Sequence, residues 1–222
     1  MKNTILLAAS AASMMFLFSC QKETLMPTPT TATKSTPEQI KVNKDDFTFS
    51  ERNSTKITWD QLPQELKNAD NHEAPAKMDT RASYLLTVGP WGGYGGSAFY
   101  IYPTASTDKI YAIAMRSGAY VDALTVWYKR LNGTIYSYSK GGNGGSFYIQ
   151  YFTAGEYIRA IGGRSGAYID RLSIYTNKKS FSYGGNGGSA FYVAAPYNGQ
   201  ILGFPGRSGA YIDQIGGYVY SF

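Results

Sequence analysis

The chain has 222 residues, a formal charge of +6, 43% hydrophobic residues and a single cysteine, Cys20. One cysteine excludes an internal disulfide framework and a cysteine-based metal cluster. The positive charge is scattered over turn-like positions such as Lys129, Arg130, Lys178 and Lys179 rather than gathered in a run, so nucleic acid is not expected as a partner.

Lys2 is followed by ILLAASAASMMFLF at 5–18. A basic start and a short apolar run describe an export signal, too short to persist as a spanning anchor. LFSC at 17–20 resembles the lipobox of bacterial lipoproteins. That resemblance implies a signal peptide over 1–19, cleavage before Cys20 and acylation of Cys20. The protein is then expected to be an exported lipoprotein, held in the cell envelope by an N-terminal lipid.

Residues 20–82 read as a polar tether. TLMPTPTTATKSTPEQ at 24–39 has too little apolar surface to fold alone. One short helix is expected at 58–69, with Thr58 as cap, Gln61 completing a capping box and Pro63 in the first turn. The lone histidine, His72, follows in polar sequence and is expected to be solvated.

From Ser83 the character changes. The chain contains 25 Gly and 20 Tyr, a bias toward tight turns and strands that indicates an all-β body. Residues 83–222 repeat three times. Each unit opens with a glycine cluster: GGYGGS at 92–97, GGNGGS at 141–146, GGNGGS at 184–189. Each closes with RSGAYVD at 116–122 or RSGAYID at 164–170 and 207–213. The closing aspartates are 48 and 43 residues apart, and the clusters 49 and 43. Two markers sharing one period make coincidence a poor explanation. Four strands per unit give about twelve, the pattern of a sandwich, barrel or prism, with pseudo-threefold symmetry.

In the strand after each motif, Asp122 is in phase with Leu124 and Val126, Asp170 with Leu172 and Ile174, and Asp213 with Ile215 and Val219. Each aspartate is therefore expected on the core-facing column, where a carboxylate needs donors. Only five acidic residues follow Ser83 (Asp108, Asp122, Glu156, Asp170 and Asp213), against eleven Lys and Arg. Three of the five close the motifs. The motif glycine is expected to permit left-handed backbone angles, and the bare backbone of GGxGG permits close approach. A carboxylate beside N–H groups suits a polyol, whose hydroxyls both donate and accept. The adjacent tyrosine would supply a flat wall for the apolar face of a sugar ring. On the plainer reading, GGxGG is a turn and each aspartate satisfies its own loop. Arg116, Arg164 and Arg207 are expected to pair electrostatically or to cover neighbouring rings. No catalytic residues are assigned: glycosidase chemistry needs two carboxylates about one bond, and the histidine lies in the tether. A single carboxylate per motif also implies no metal, and no cofactor is expected.

GPWGGYGGS at 89–97, together with Gly-Ala-Tyr-[Val/Ile]-Asp at 118–122, 166–170 and 209–213, resembles the jacalin-related lectins, above all griffithsin-like members with three sugar sites. The resemblance spans 84–222. It implies a β-prism I fold of three four-stranded Greek-key sheets, binding mannose- or glucose-type glycans, including branched ones. It also implies three sets of contacts: Ala119, Tyr120, Asp122 and Gly145; Ala167, Tyr168, Asp170 and Gly188; Ala210, Tyr211, Asp213 and Gly96. The alternative is a non-catalytic prism that serves as a protein-interaction or envelope module without sugar binding. Oligomeric state is not fixed by any of these features.

Overall fold

The computed structural model describes residues 55–73, 86–196 and 199–220. The expected export signal, Cys20 and the Thr/Pro-rich stretch lie outside the described residues. In chain order the elements are β1 (Thr55–Lys56), a 3-10 turn (Trp59–Gln61), α1 (Gln64–Lys67) and β2 (Asp70–His72). There follow β3 (Leu86–Gly92), β4 (Ser97–Ile101), β5 (Lys109–Ser117), β6 (Val121–Lys129), β7 (Ile135–Gly141), β8 (Ser146–Tyr151), β9 (Ile158–Ser165) and β10 (Ile169–Thr176). The last four are β11 (Ser180–Gly184), β12 (Ser189–Ala194), β13 (Gln200–Ser208) and β14 (Ile212–Tyr220).

Strands β3–β14 form the expected prism. One sheet has the order β8-β5-β6-β7, the next β12-β9-β10-β11, and the last β4-β13-β14-β3; the last two meet at the single pair Ile158–Ile201. All three are antiparallel and share the Greek-key order 4-1-2-3. The sheets do not coincide with the sequence units. Each joins the second hairpin of one unit to the first hairpin of the next, and the final sheet is closed by the two ends of the domain. One side of each sheet faces a common core that includes Met115, Leu124, Ile161, Leu172, Phe204 and Ile215. Stacked rings bridge neighbouring sheets, Tyr148 with Tyr183 at 4.5 Å and Trp91 with Phe191 at 4.7 Å. The buried Tyr128 hydroxyl donates to the Leu202 carbonyl at 2.6 Å, so its burial leaves no orphaned donor.

The sheet containing β5 and β6 is also covered on its outside, by part of the stretch read above as tether. The Thr58 N–H donates to Gln61 Oε1 at 2.7 Å, the expected capping box. The expected single helix is nevertheless split into a 3-10 turn and α1. Pro63 disfavours helical angles at the residue before it, and Leu62 is extended, with φ −63° and ψ 139°. Leu62 and Leu66 then lie buried against Ala112, Ala114, Trp127 and Phe147. β1 extends the sheet beyond β8, and β2 runs parallel to β7. Residues 55–73 are thus part of the folded body rather than tether. His72 is likewise not solvated as expected: its ring meets Tyr136 edge-on at 5.2 Å, and its Nε2 is buried.

Candidate functional site

Each RSGAY[VI]D motif is the tip of a hairpin: β5–β6, β9–β10 and β13–β14. The three tips share one geometry. Gly118 N–H donates to the Tyr120 carbonyl, Gly166 to Tyr168 and Gly209 to Tyr211, at 3.0, 2.9 and 3.0 Å. Just inside each tip the ladder slips. Arg116 pairs with Ala123 while Ser117 pairs with Val121, so Asp122 is the extra residue of a β-bulge. Asp170 and Asp213 occupy the same position in their hairpins. A bulge re-aims the side chain it carries, and here it turns three carboxylates toward the tip. They are 6%, 6% and 4% exposed for Asp122, Asp170 and Asp213.

The glycine cluster facing each aspartate comes from the next unit, carried on the β7–β8, β11–β12 and β3–β4 turns. Its second glycine donates to the aspartate's own carbonyl: Gly142 to Asp122 and Gly93 to Asp213 at 2.8 Å, Gly185 to Asp170 at 2.7 Å. Its first and last glycines have positive φ, 105° and 64° at Gly141 and Gly145. The third glycine is needed for space. A Cβ at Gly144, Gly187 or Gly95 would collide with Oδ1 of Asp122, Asp170 or Asp213. The second glycine abuts another loop entirely: Gly142 lies against Ala210, Gly185 against Ala119 and Gly93 against Ala167. The three clusters and three tips therefore interlock in a ring at one end of the prism.

What holds the clusters down is a set of arginine hydrogen bonds that no local pattern announces. Arg116 donates through Nε to the Gly144 carbonyl at 2.8 Å and through Nη2 to Gly145 at 3.3 Å. Arg164 does the same to Gly187 and Gly188 at 2.7 and 2.6 Å, and Arg207 to Gly95 and Gly96 at 2.8 and 2.6 Å. Among the described residues these arginines form no close ion pair and cover no ring, although the Arg116 charge does act on the Asp122 carboxyl; each is a two-pronged clamp on the glycine cluster beside its aspartate. Arginine recurring six residues before each aspartate was the available signal.

Two further expectations are corrected. The motif glycines Gly118, Gly166 and Gly209 are not left-handed. A Cβ on Gly118 would meet nothing within 4 Å, and one on Gly166 would come no closer than 3.7 Å, to Asp170 Oδ2. Their missing side chain leaves open space beside the carboxylate. The tyrosines do not stand as separate walls either. Tyr120, Tyr168 and Tyr211 pack on one another, with ring centres 5.4, 5.3 and 5.1 Å apart, in a half-buried triangle that joins the three tips. Aromatic contacts of this kind stabilise by about 1 kcal/mol each.

The structure thus brings each expected set together: Asp122 with Gly145, Ala119 and Tyr120; Asp170 with Gly188, Ala167 and Tyr168; Asp213 with Gly96, Ala210 and Tyr211. Among the described residues, no intrachain hydrogen bond takes the N–H groups of the Ala-Tyr pairs or of the three last glycines. Asp213 Oδ2 is buried and accepts no hydrogen bond. Burial pushes the Asp122 carboxyl above the ordinary aspartate range. Arg116 and the N–H groups of Asp122 and Gly118 oppose that shift without cancelling it. Each hollow therefore offers an acceptor-only group beside two or three unspent backbone donors, the complement of vicinal hydroxyls. Among the described residues no group of three His, Cys, Asp or Glu side chains could hold a metal ion.

Residues 88–218, more than half of the chain, match the family described as the jacalin-like lectin domain. The chain belongs to the jacalin-like lectin family. The solved structure of Malaysian banana lectin is 32% identical, with a TM-score of 0.56 over 62% of this chain and 99% of that one. A Calystegia sepium lectin, solved with a biantennary N-glycan, is 29% identical, with a TM-score of 0.56 over 62% of this chain and 97% of the other. A mannose-binding jacalin-related lectin from Ananas comosus is also 29% identical, with a TM-score of 0.54 over 62% of this chain and 99% of its own. A comparison with curated proteins found no match. As a jacalin-like lectin, the domain is a carbohydrate-binding body and not an enzyme.

Proposed function

We propose that this jacalin-like lectin binds mannose- or glucose-type glycans at three equivalent sites on one end of the prism. Asp122, Asp170 and Asp213 take the protons of neighbouring sugar hydroxyls. The N–H groups of Ala119 and Tyr120, Ala167 and Tyr168, and Ala210 and Tyr211 donate to the sugar oxygens, joined by those of Gly145, Gly188 and Gly96. The tyrosine triangle sets the spacing of the tips. One observation carries the reading: three nearly buried carboxylates each stand beside unspent N–H donors and a glycine whose absent side chain leaves room. The mannose-binding neighbour from Ananas comosus and the N-glycan-bound Calystegia lectin support the sugar class.

A single small-sugar site of this kind binds at about millimolar affinity, roughly −4 kcal/mol. Three sites facing one way favour a branched glycan or a dense glycan surface, because the second contact becomes intramolecular. The signal-like start and Cys20 support presentation from a bacterial envelope by an N-terminal lipid. A glycan array probed with the full chain is expected to retain mannose- or glucose-terminated glycans. The variant Asp122→Ala/Asp170→Ala/Asp213→Ala is expected to lose them while keeping its melting temperature. A triple variant that binds like the parent overturns the site assignment, and an array that retains no glycan points to a protein-interaction module. Cys20→Ser is expected to move the protein from the membrane fraction to the soluble one; unchanged fractionation overturns the anchor.

A further inference from the structure

The three sites are copies in their carboxylates, clamps and backbone donors, but not in the residue at the centre of the glycine cluster. That residue is Asn143 over the Asp122 site, Asn186 over the Asp170 site and Tyr94 over the Asp213 site. Asn186 is held by Arg171, whose Nη2 donates to Asn186 Oδ1 at 2.5 Å. The register position of Arg171 opposite its cluster is filled by Ala123 in the first site and Gln214 in the third. Tyr94 is 87% exposed and stacks on no described ring. It is flanked by Gly93 and Gly95, and the Cβ that Gly95 lacks would strike Asp213 Oδ1. A large aromatic side chain held in water between two glycines gains nothing from the fold. It gains a great deal if a flat apolar surface is laid on it, and the C–H face of a pyranose is such a surface.

We infer that Tyr94 is a specificity-determining residue that gives the Asp213 site a subsite for the second ring of a di- or oligosaccharide, while the Asp122 and Asp170 sites read the terminal sugar alone. This rests on the sugar-binding reading above. The first ring sits on Asp213 and the N–H groups of Ala210, Tyr211 and Gly96, and the next ring lies against the exposed face of Tyr94. Asn143 and Asn186 have no such face to offer. Nothing in the fold depends on Tyr94, so its replacement leaves the site's floor intact.

The test isolates the site in the full chain with Asp122→Ala/Asp170→Ala and titrates methyl α-mannoside and mannobiose by NMR or calorimetry. Mannobiose is expected to bind about fivefold more tightly than the monosaccharide. Adding Tyr94→Asn should bring the two affinities together with the monosaccharide value unchanged. Asn143→Tyr, placed in an Asp170→Ala/Asp213→Ala background, should create the preference at the first site. If Tyr94→Asn leaves the mannobiose ratio as it was, or weakens only a protein retaining the Asp170 site, the subsite is overturned while the sugar sites stand. If the Asp122→Ala/Asp170→Ala protein binds neither probe, the sugar-binding reading of this site fails first and the subsite with it.

Discussion

The two ends of the prism treat their carboxylates in opposite ways. At the end formed by the β4–β5 and β8–β9 loops, Asp108 and Glu156 are fully employed. Asp108 Oδ2 accepts from the Thr104 hydroxyl at 3.0 Å, the Ala105 N–H at 3.1 Å and the Tyr136 hydroxyl at 2.7 Å. Glu156 accepts from the N–H and hydroxyl of Thr153 at 3.0 and 3.1 Å and from the Thr176 hydroxyl at 2.9 Å, with Lys179 at 3.6 Å. Burial alone would push Glu156 up, yet the Thr153 N–H, the Thr176 hydroxyl and Lys179 pull it below its ordinary value. At the other end, Asp122 is pushed the opposite way and Asp213 Oδ2 has no partner at all. Buried acids come in both kinds in this domain. Those saturated by their own loops hold the fold, and under the proposed function those at the hairpin tips keep acceptor capacity for sugar hydroxyls.

The largest effect expected from this contrast is a crossing of stability and binding. Asp108→Ala should cost about 3 kcal/mol by orphaning Tyr136, Thr104 and the Ala105 N–H, with sugar affinity unchanged in the folded fraction. Asp213→Ala should change stability by less than about 1 kcal/mol, because it removes an unsatisfied acceptor, and should abolish one site. Denaturant titration beside sugar titration reads both, and equal destabilisation by the two substitutions would dissolve the distinction.

The glycines separate in the same manner with a smaller effect. Gly187→Ala drives a Cβ into Asp170 Oδ1 and should cost about 2 kcal/mol along with the site. Gly166→Val fills only open space, so the melting temperature should hold while the Asp170 site is blocked. Next come the clamps. Arg164→Met removes two hydrogen bonds from the floor of that site and should weaken it about fivefold, roughly 1 kcal/mol. Loss of affinity spread evenly over all three sites would show that the clamps act through the ring rather than locally.

The smallest effect is in pH. Because Asp122 is raised, its charged form is disfavoured by folding, a penalty present above its folded pKa and relieved as pH falls through it. Glu156 is lowered, so its contribution to stability is present above its unfolded pKa and lost as pH falls through the folded one. Acid should therefore weaken sugar binding at the first site, isolated with Asp170→Ala/Asp213→Ala, before it unfolds the domain. Simultaneous loss of binding and structure would remove that order.

Much of this was legible in the residues. The doubled period of glycine cluster and aspartate announced three units, and the Gly and Tyr bias announced short strands and tight turns. The phase of Asp170 with Leu172 and Ile174 placed it at the inner column, and all three are buried. The pairing of Gly145 with Asp122 came only from resemblance to known lectins, since nothing local ties residues 23 positions apart. The clamp of Arg207 on Gly95 spans 112 residues and is invisible to any window. The docking of 55–73 went unread because two leucines four residues apart in a polar stretch look the same whether they meet water or Trp127.

By itself, then, the sequence determined the strand content, the threefold repetition and the identity of the three carboxylates, because alternation, turn chemistry and copying are local properties of a chain. Tertiary structure alone decided that each sheet is shared between neighbouring units. It also bulged each aspartate toward the tip, packed the three tyrosines on one another and left Tyr94 exposed in the cluster facing Asp213. Those outcomes follow from ladders and clamps that close across long loops, where backbone geometry and excluded volume choose the partner and no neighbouring residue records the choice.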